Sequence, residues 1–253
     1  MKTVMRVLVE VGEVCTHYQN QVFRNLACRR LQLDEMWGWI FCKEKNRTEE
    51  IAKKHPDSGD VWLWVAVDAD TKLVPAWMLG QRDFGTATAF VTDLASRLSN
   101  RVQITTDGHR PYVEAIENAF GMEVDYSILQ KLYGSPMEHD TRYSPARVIG
   151  IDVRHVSGSP DPKHVSTSFI ERQNWTVRTK MRRYTRLSNG FSRKLRNHAA
   201  SVALNYFAYN FIQIHKTLRT SPAMAANVTD RLWDVNDLVA LWESYEQARP
   251  KAA

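Results

Sequence analysis

Residues 31–42 read LQLDEMWGWIFC. Leu31, Leu33, Trp37, Trp39 and Phe41 fall on one side of a two-residue period and Asp34 on the other, which predicts a β-strand. A lone carboxylate in an apolar strand costs on the order of several kcal/mol unless it is paired or employed. Read from the residues alone, a structural ion pair and a working acid are both open.

The neighbouring segments extend this strand into a sheet. The polar run 43–60, KEKNRTEEIAKKHPDSGD, reads as an exposed insertion. VWLWVAVD (61–68) is apolar at nearly every position, as in a strand covered on both faces. Asp68-Ala69-Asp70 reads as a turn into a third strand around Leu73–Leu79. A helix is predicted over 86–99, a short strand at VQITTDG (102–108), a helix over 111–120 and a fifth strand over 124–132. Three strands on short links must be antiparallel. The helix 86–99 is then a crossover that sets strand 102–107 parallel to the first. In that order Asp34 and Asp107 lie side by side.

Gly, Pro, Ser and His dominate 134–165, which reads as loops with one short strand at Val148–Val153. A helix capped by Ser166 or Thr167 carries ERQNWTVRTKMRR and brings Glu171 toward the same edge. Further helices are predicted over 2–18, about 192–214 and 232–246.

The chain has 253 residues, 43% of them hydrophobic, with eight Trp, enough for a full core. No apolar run reaches the roughly 18 residues of a membrane span, and no signal region opens the chain. Cys15, Cys28 and Cys42 form no close pair, which argues against a thiolate zinc site or a disulfide framework and fits a reducing cytoplasm. The net charge is +6, yet Arg172 to Arg196 contains nine Lys or Arg and no acid. A focused basic block suits a polyanion such as DNA; a solvated helix face is the other reading.

Three acids converging from a rigid sheet and a helix suit metal-assisted phosphodiester chemistry, because Mg²⁺ prefers carboxylate oxygens. No Ser/His/Asp or Cys/His pattern and no phosphate-cradling glycine loop competes. Taken singly, each acid has a plainer reading. Asp107 before Gly108 fits a turn, and Glu171 fits the first turn of a helix. Asp68 and Asp70 fit hairpin turns. His109 fits a surface hydrogen bond as well as a phosphate contact, and His215 is equally open.

The stretches LQLDEMW, TTDGHRPY and STSFIERQNWTVRTKMRRYTRLSNGFS resemble the catalytic blocks of DDE transposases from small bacterial insertion sequences, the insertion-sequence-one type and its relatives. The resemblance covers roughly residues 4–228. It implies an RNase H-like (retroviral-integrase-like) α/β fold, a mixed five-stranded sheet flanked by helices. It maps the acidic triad, as catalytic residues and metal ligands, onto Asp34, Asp107 and Glu171. It implies two Mg²⁺ ions, with Mn²⁺ able to substitute, and DNA ends and target as partners. It further implies a homo-oligomer on DNA and a cytoplasmic, nucleoid-associated location without membrane attachment.

Three segments are expected: residues 1–24, a helix left from an upstream DNA-binding module; 29–228, the catalytic domain; and 229–253, a C-terminal helix and tail. The opening KTVMRVLVEVGEVC resembles the end of a recognition helix, so a shortened copy, a product of a downstream start or one half of a frameshifted pair is expected. The candidate DNA-binding residues are His109, Asn174, Arg178, Arg182 and Arg186. Arg178 lies seven positions after Glu171 and returns to its face. Asn174, Trp175, Arg182 and Arg186 continue that stripe if the helix persists. A catalytically silent DNA-binding remnant and a nuclease on the same fold are the rival functions.

Overall fold

The computed structural model describes residues 2–135, 147–185 and 188–248. The chain opens with α1 (Lys2–Val22), then β1 (Arg30–Ile40) and, inside the polar insertion, the short helix α2 (Glu49–Lys54), capped by Thr48. A meander of β2 (Gly59–Asp68) and β3 (Ala76–Gly80) precedes α3 (Phe84–Ala95), β4 (Val102–Thr106), α4 (Pro111–Phe120) and β5 (Val124–Tyr133). β6 (Val148–Ser157), α5 (Ser168–Lys180), α6 (Leu195–Phe207), α7 (Pro222–Ala225) and α8 (Val235–Ala248) complete it.

Six strands make one sheet in the order β3-β2-β1-β4-β5-β6. β1 runs antiparallel to β2 and parallel to β4, and β4 parallel to β5, as the crossover through α3 requires. This is the RNase H-like arrangement expected, with one strand more. The sixth strand is the segment expected as a short strand at Val148–Val153. It runs on to Ser157 and pairs antiparallel with β5 at the sheet edge. Its composition hid its length, because it is exposed along most of its course and shows no one-sided apolar pattern.

Packing on the two faces explains the alternation in β1. Leu31 and Leu33 join the core built from α3, α4 and the aromatic side chains of α6 and its extension. Met36 joins a second core with Ile170, Val177, Met181 and Tyr184. Phe41 does not continue the apolar face. Its backbone turns left-handed (φ 62°), the strand stops at Ile40, and the ring stacks on His55 at 3.9 Å.

α1 belongs to the same body. Cys15 and Phe23 sit in the larger core, and Gly12 meets α6 so closely that a Cβ there would lie 2.5 Å from the Cα of Ala200. Beyond α6 the helix widens into a π turn, Ala208–Ile212. There the fully buried Asn210 bonds both backbone groups of Val74, accepting from its N–H (3.0 Å) and donating to its carbonyl (3.1 Å).

The basic block is not one helix face. α5 ends at Lys180, and Arg182–Tyr184 form a separate tight turn, so the stripe expected to run on to Arg182 and Arg186 is cut. Arg182 is exposed beyond the helix end, and Arg186 lies outside the described residues. Arg196 pairs with Glu13, and the Arg172 guanidinium covers the Trp175 ring. The turn after α5 is fastened by a buried chain of hydrogen bonds. His198, fully buried, shares Nδ1 with the Ser192 hydroxyl (2.8 Å) and Nε2 with the Tyr184 hydroxyl (2.7 Å). Arg183 donates to the same Ser192 hydroxyl (3.0 Å), and the Ser192 carbonyl accepts from Phe41 N–H at the end of β1 (2.8 Å).

Candidate active site

The parallel pairing of β1 and β4 sets Gln32 beside Thr105. The ladder ends there, and just beyond it the carboxylates of Asp34 and Asp107, the latter in the turn after β4, come within 4.8 Å of each other. The sheet is thus what joins two acids 73 positions apart in the sequence.

Local hydrogen bonds then aim them. Asp107 turns the chain after β4, with Oδ1 accepting from the backbone N–H of His109 (2.9 Å). The expected turn chemistry is therefore present, and the same turn holds the carboxylate still. Asp34 Oδ1 accepts from Glu35 N–H (2.8 Å), and Oδ2 accepts from the amide of Asn174 on α5 (2.7 Å). α5 is docked there because its first turns need β1: Gln32 Oε1 accepts from the N–H groups of both Phe169 (2.8 Å) and Ile170 (3.0 Å).

A third acid joins that alternation did not foretell. Among the described residues, Asp34, Glu35 and Asp107 can each offer an oxygen within 4.8 Å of the others, close enough to hold one metal ion. The Glu35 carboxylate is almost fully buried. It accepts from Arg82 Nε (2.7 Å) and from the Tyr112 hydroxyl (3.1 Å). Crowding shows in proton affinity. Burial first, then Glu35 and Asp107, push the Asp34 carboxyl up to about 7, and Glu171 adds to the push. Burial and Asp107 raise Glu35 as well. Such a cluster of desolvated negative charge is short of a cation. The buried Asn174 Oδ1 has no partner among the described residues. A divalent ion fits this donor set.

Glu171 lines the same cleft of about 940 Å³ but stands outside that three-acid group. Its two oxygens accept from Lys131 Nζ on β5 (2.6 Å each), and one also from the Thr167 hydroxyl (2.7 Å).

The other expected residues separate. Arg178 lines the cleft, on the face predicted for it. Asn174 is buried and holds Asp34, while Trp175 is 54% exposed. His109 packs its ring against Trp64 (5.6 Å) and Tyr112 (5.9 Å), with Nε2 3.9 Å from Glu35. Burial, and next the Arg82 charge, lower its pKa below the usual value. It is therefore neutral near pH 7, and that 3.9 Å approach is not an ion pair. Glu35, Arg82 and Lys131 went unread in the sequence. A Glu directly after Asp34 in an apolar strand was the one available signal.

The sheet thus gathers, beside its parallel centre, acids that can hold a divalent ion. Residues 57–132, from β2 through β4 to β5, match the family model of the IS240-type transposases described as a DDE domain. That stretch contains Asp107; Asp34 and Glu171 lie outside it. The match bears out the resemblance to DDE transposases of insertion sequences. No curated protein matches the chain. Two solved structures are similar at low identity. One is a chain of the simian T-cell lymphotropic virus intasome in complex with PP2A regulatory subunit B56 gamma: 16% identity, TM-score 0.44, covering 83% of this chain and 58% of that one. The other is a chain of the piggyBac transposase synaptic complex with hairpin DNA: 12% identity, TM-score 0.33, covering 89% and 55%. The present chain spans a little over half the length of each.

Proposed function

We propose that this chain is a transposase that cuts DNA at the ends of an insertion sequence and joins them to a target. The observation that carries this reading is the approach of the Asp34 and Asp107 carboxylates to within 4.8 Å in a cleft that Glu171 and Arg178 also line. Asp34 and Asp107 would hold one divalent ion and Glu171 would complete the site for a second, Mg²⁺ with Mn²⁺ able to substitute. When bound, such ions activate the attacking oxygen and neutralise charge on the leaving one.

The chain's own residues do the positioning. The Asn174 amide and the Glu35 N–H fix both oxygens of Asp34, and the His109 N–H fixes Asp107. Thr167 orients Glu171, and Lys131 pairs with it. Arg178 reaches the cleft from α5 and offers a phosphate a cation. Residues 29–228 form the catalytic unit in this reading. α1 packs on this unit, with Gly12 against Ala200 of α6. The protein acts on DNA as a homo-oligomer in the bacterial cytoplasm. No helix of the described residues is long and apolar enough to cross a membrane.

The test is cleavage and joining of labelled oligonucleotides carrying the element's ends, in Mg²⁺ or Mn²⁺. Asp34→Ala, Asp107→Ala and Glu171→Ala should each abolish cleavage and leave DNA binding largely intact. Retained cleavage in Asp107→Ala would overturn the assignment. Cleavage without joined products would favour a plain nuclease, and neither product would favour a silent remnant.

A further inference from the structure

Arg82 occupies the loop between β3 and α3, where no periodicity drew attention to it. It is fixed from two sides. Nε donates to Glu35 at 2.7 Å, and the guanidinium lies over the Trp62 ring at 5.0 Å. Glu35 is itself held by the Tyr112 hydroxyl, so the anchor is rigid. A guanidinium has five N–H donors. Among the described residues, the Nε donor is the only one of these with a hydrogen-bond partner. The side chain is 41% exposed and lines the cleft that contains Asp34, Asp107 and Glu171.

As a counter-ion to the buried Glu35 carboxylate, Arg82 uses only Nε, and its side chain stays 41% exposed. The planar fork is clamped at Nε on the wall of the cleft. That is the geometry that recognises a phosphate by two parallel hydrogen bonds. Lys131, Arg110 and Arg178 also line the cleft, and Lys131 pairs with Glu171.

We infer that Arg82 contacts a DNA phosphate in the active cleft, and that Glu35 is the positioning residue that sets its guanidinium for that contact. This rests on the reading of the cleft as a DNA site. The contact would hold the substrate backbone beside the acids from the side opposite in sequence to Arg178, so that the strand is gripped by the β3–α3 loop as well as by α5.

The test is equilibrium binding of a short DNA duplex of arbitrary sequence across a salt series, in EDTA so that metal plays no part. Arg82→Gln should bind roughly tenfold more weakly at low salt, and the slope of log affinity against log salt should fall by about one. Glu35→Gln loosens the clamp on Nε and should move the slope part-way toward that of Arg82→Gln. Arg82→Gln leaves Glu35 buried and unpaired, so the double variant Glu35→Gln/Arg82→Gln guards against a folding artefact. It should regain melting temperature yet keep the reduced slope. A double variant that recovers both melting temperature and wild-type DNA binding would make Arg82 a structural counter-ion and overturn the inference. An unchanged slope in Arg82→Gln would overturn it too. If the wild type shows no salt-dependent DNA binding, the DNA reading of the cleft fails, and this inference with it.

Discussion

His198 should give this protein an acid-sensitive joint. The imidazole is fully buried between the Tyr184 and Ser192 hydroxyls, with Arg183 on the same serine. Burial first, then the Arg183 charge, push its pKa down to about 4 from the usual 6.5. Below pH 6.5 the unfolded chain takes up a proton that the folded chain refuses. Stability is therefore lost as pH falls from about 6.5 toward 4. At about 1.4 kcal/mol per pH unit, the full effect is about 3 kcal/mol. His198→Gln removes the titration but leaves buried hydroxyls poorly paired, costing about 1–3 kcal/mol at neutral pH. The variant should start less stable at pH 7, and its deficit should shrink and approach zero near pH 4. Urea unfolding in EDTA at a series of pH values measures this. Asp34 acts in the opposite sense, since its raised pKa favours the folded state as pH falls, but it is common to both proteins and cancels in the difference. Curves that stay parallel between pH 7 and 4.5 would refute the reasoning.

Three other perturbations probe the packing and the site. Gly12→Ala gains about 1 kcal/mol of helix propensity. It also drives a methyl to 2.5 Å from the Ala200 backbone, so α1 and α6 must part, and a net loss of about 1–2 kcal/mol should appear in urea unfolding. Asn210→Leu strands both backbone groups of Val74 and should cost about 2–4 kcal/mol, read as a lower urea midpoint at unchanged m-value. Mn²⁺ at about a hundred times its dissociation constant should raise the melting temperature of the wild type by about 5–10 °C, and that of Asp34→Asn hardly at all.

The central sheet was legible because its signals are local. The alternation in β1, the unbroken apolar run of β2 and the polar end of β4 each named a strand, and the helix between β3 and β4 dictated the parallel pair. The edge was not legible. β3 begins at Ala76 rather than Leu73, because Asp68 and the left-handed Lys72 extend the turn. β6 hid behind an exposed, mixed composition. In the candidate site, Asp34, Asp107 and Glu171 were marked by motif, and the structure places all three around one cleft. Glu35 was not marked, since strict alternation sends it to the opposite face; its position appears only once Tyr112 and Arg82 are in place around it. The arginines after Lys180 leave the expected stripe for a related reason. A helical wheel assumes that the helix goes on, and Met181 and the turn after it redirect the chain.

The parallel pairing of β1 with β4 also fixes when the proposed activity could first arise. During synthesis β1 emerges first, but its parallel partner follows some 70 residues later, and α5 a further 60 or so. Pairing across such separations is slow to form. A nascent chain released early, or stalled before residue 168, would have the first two acids and lack the helix whose Asn174 orients Asp34. The proposed nuclease site is thus distributed so that no fragment short of α5 contains it, and completion of the polypeptide acts as its own safety interlock.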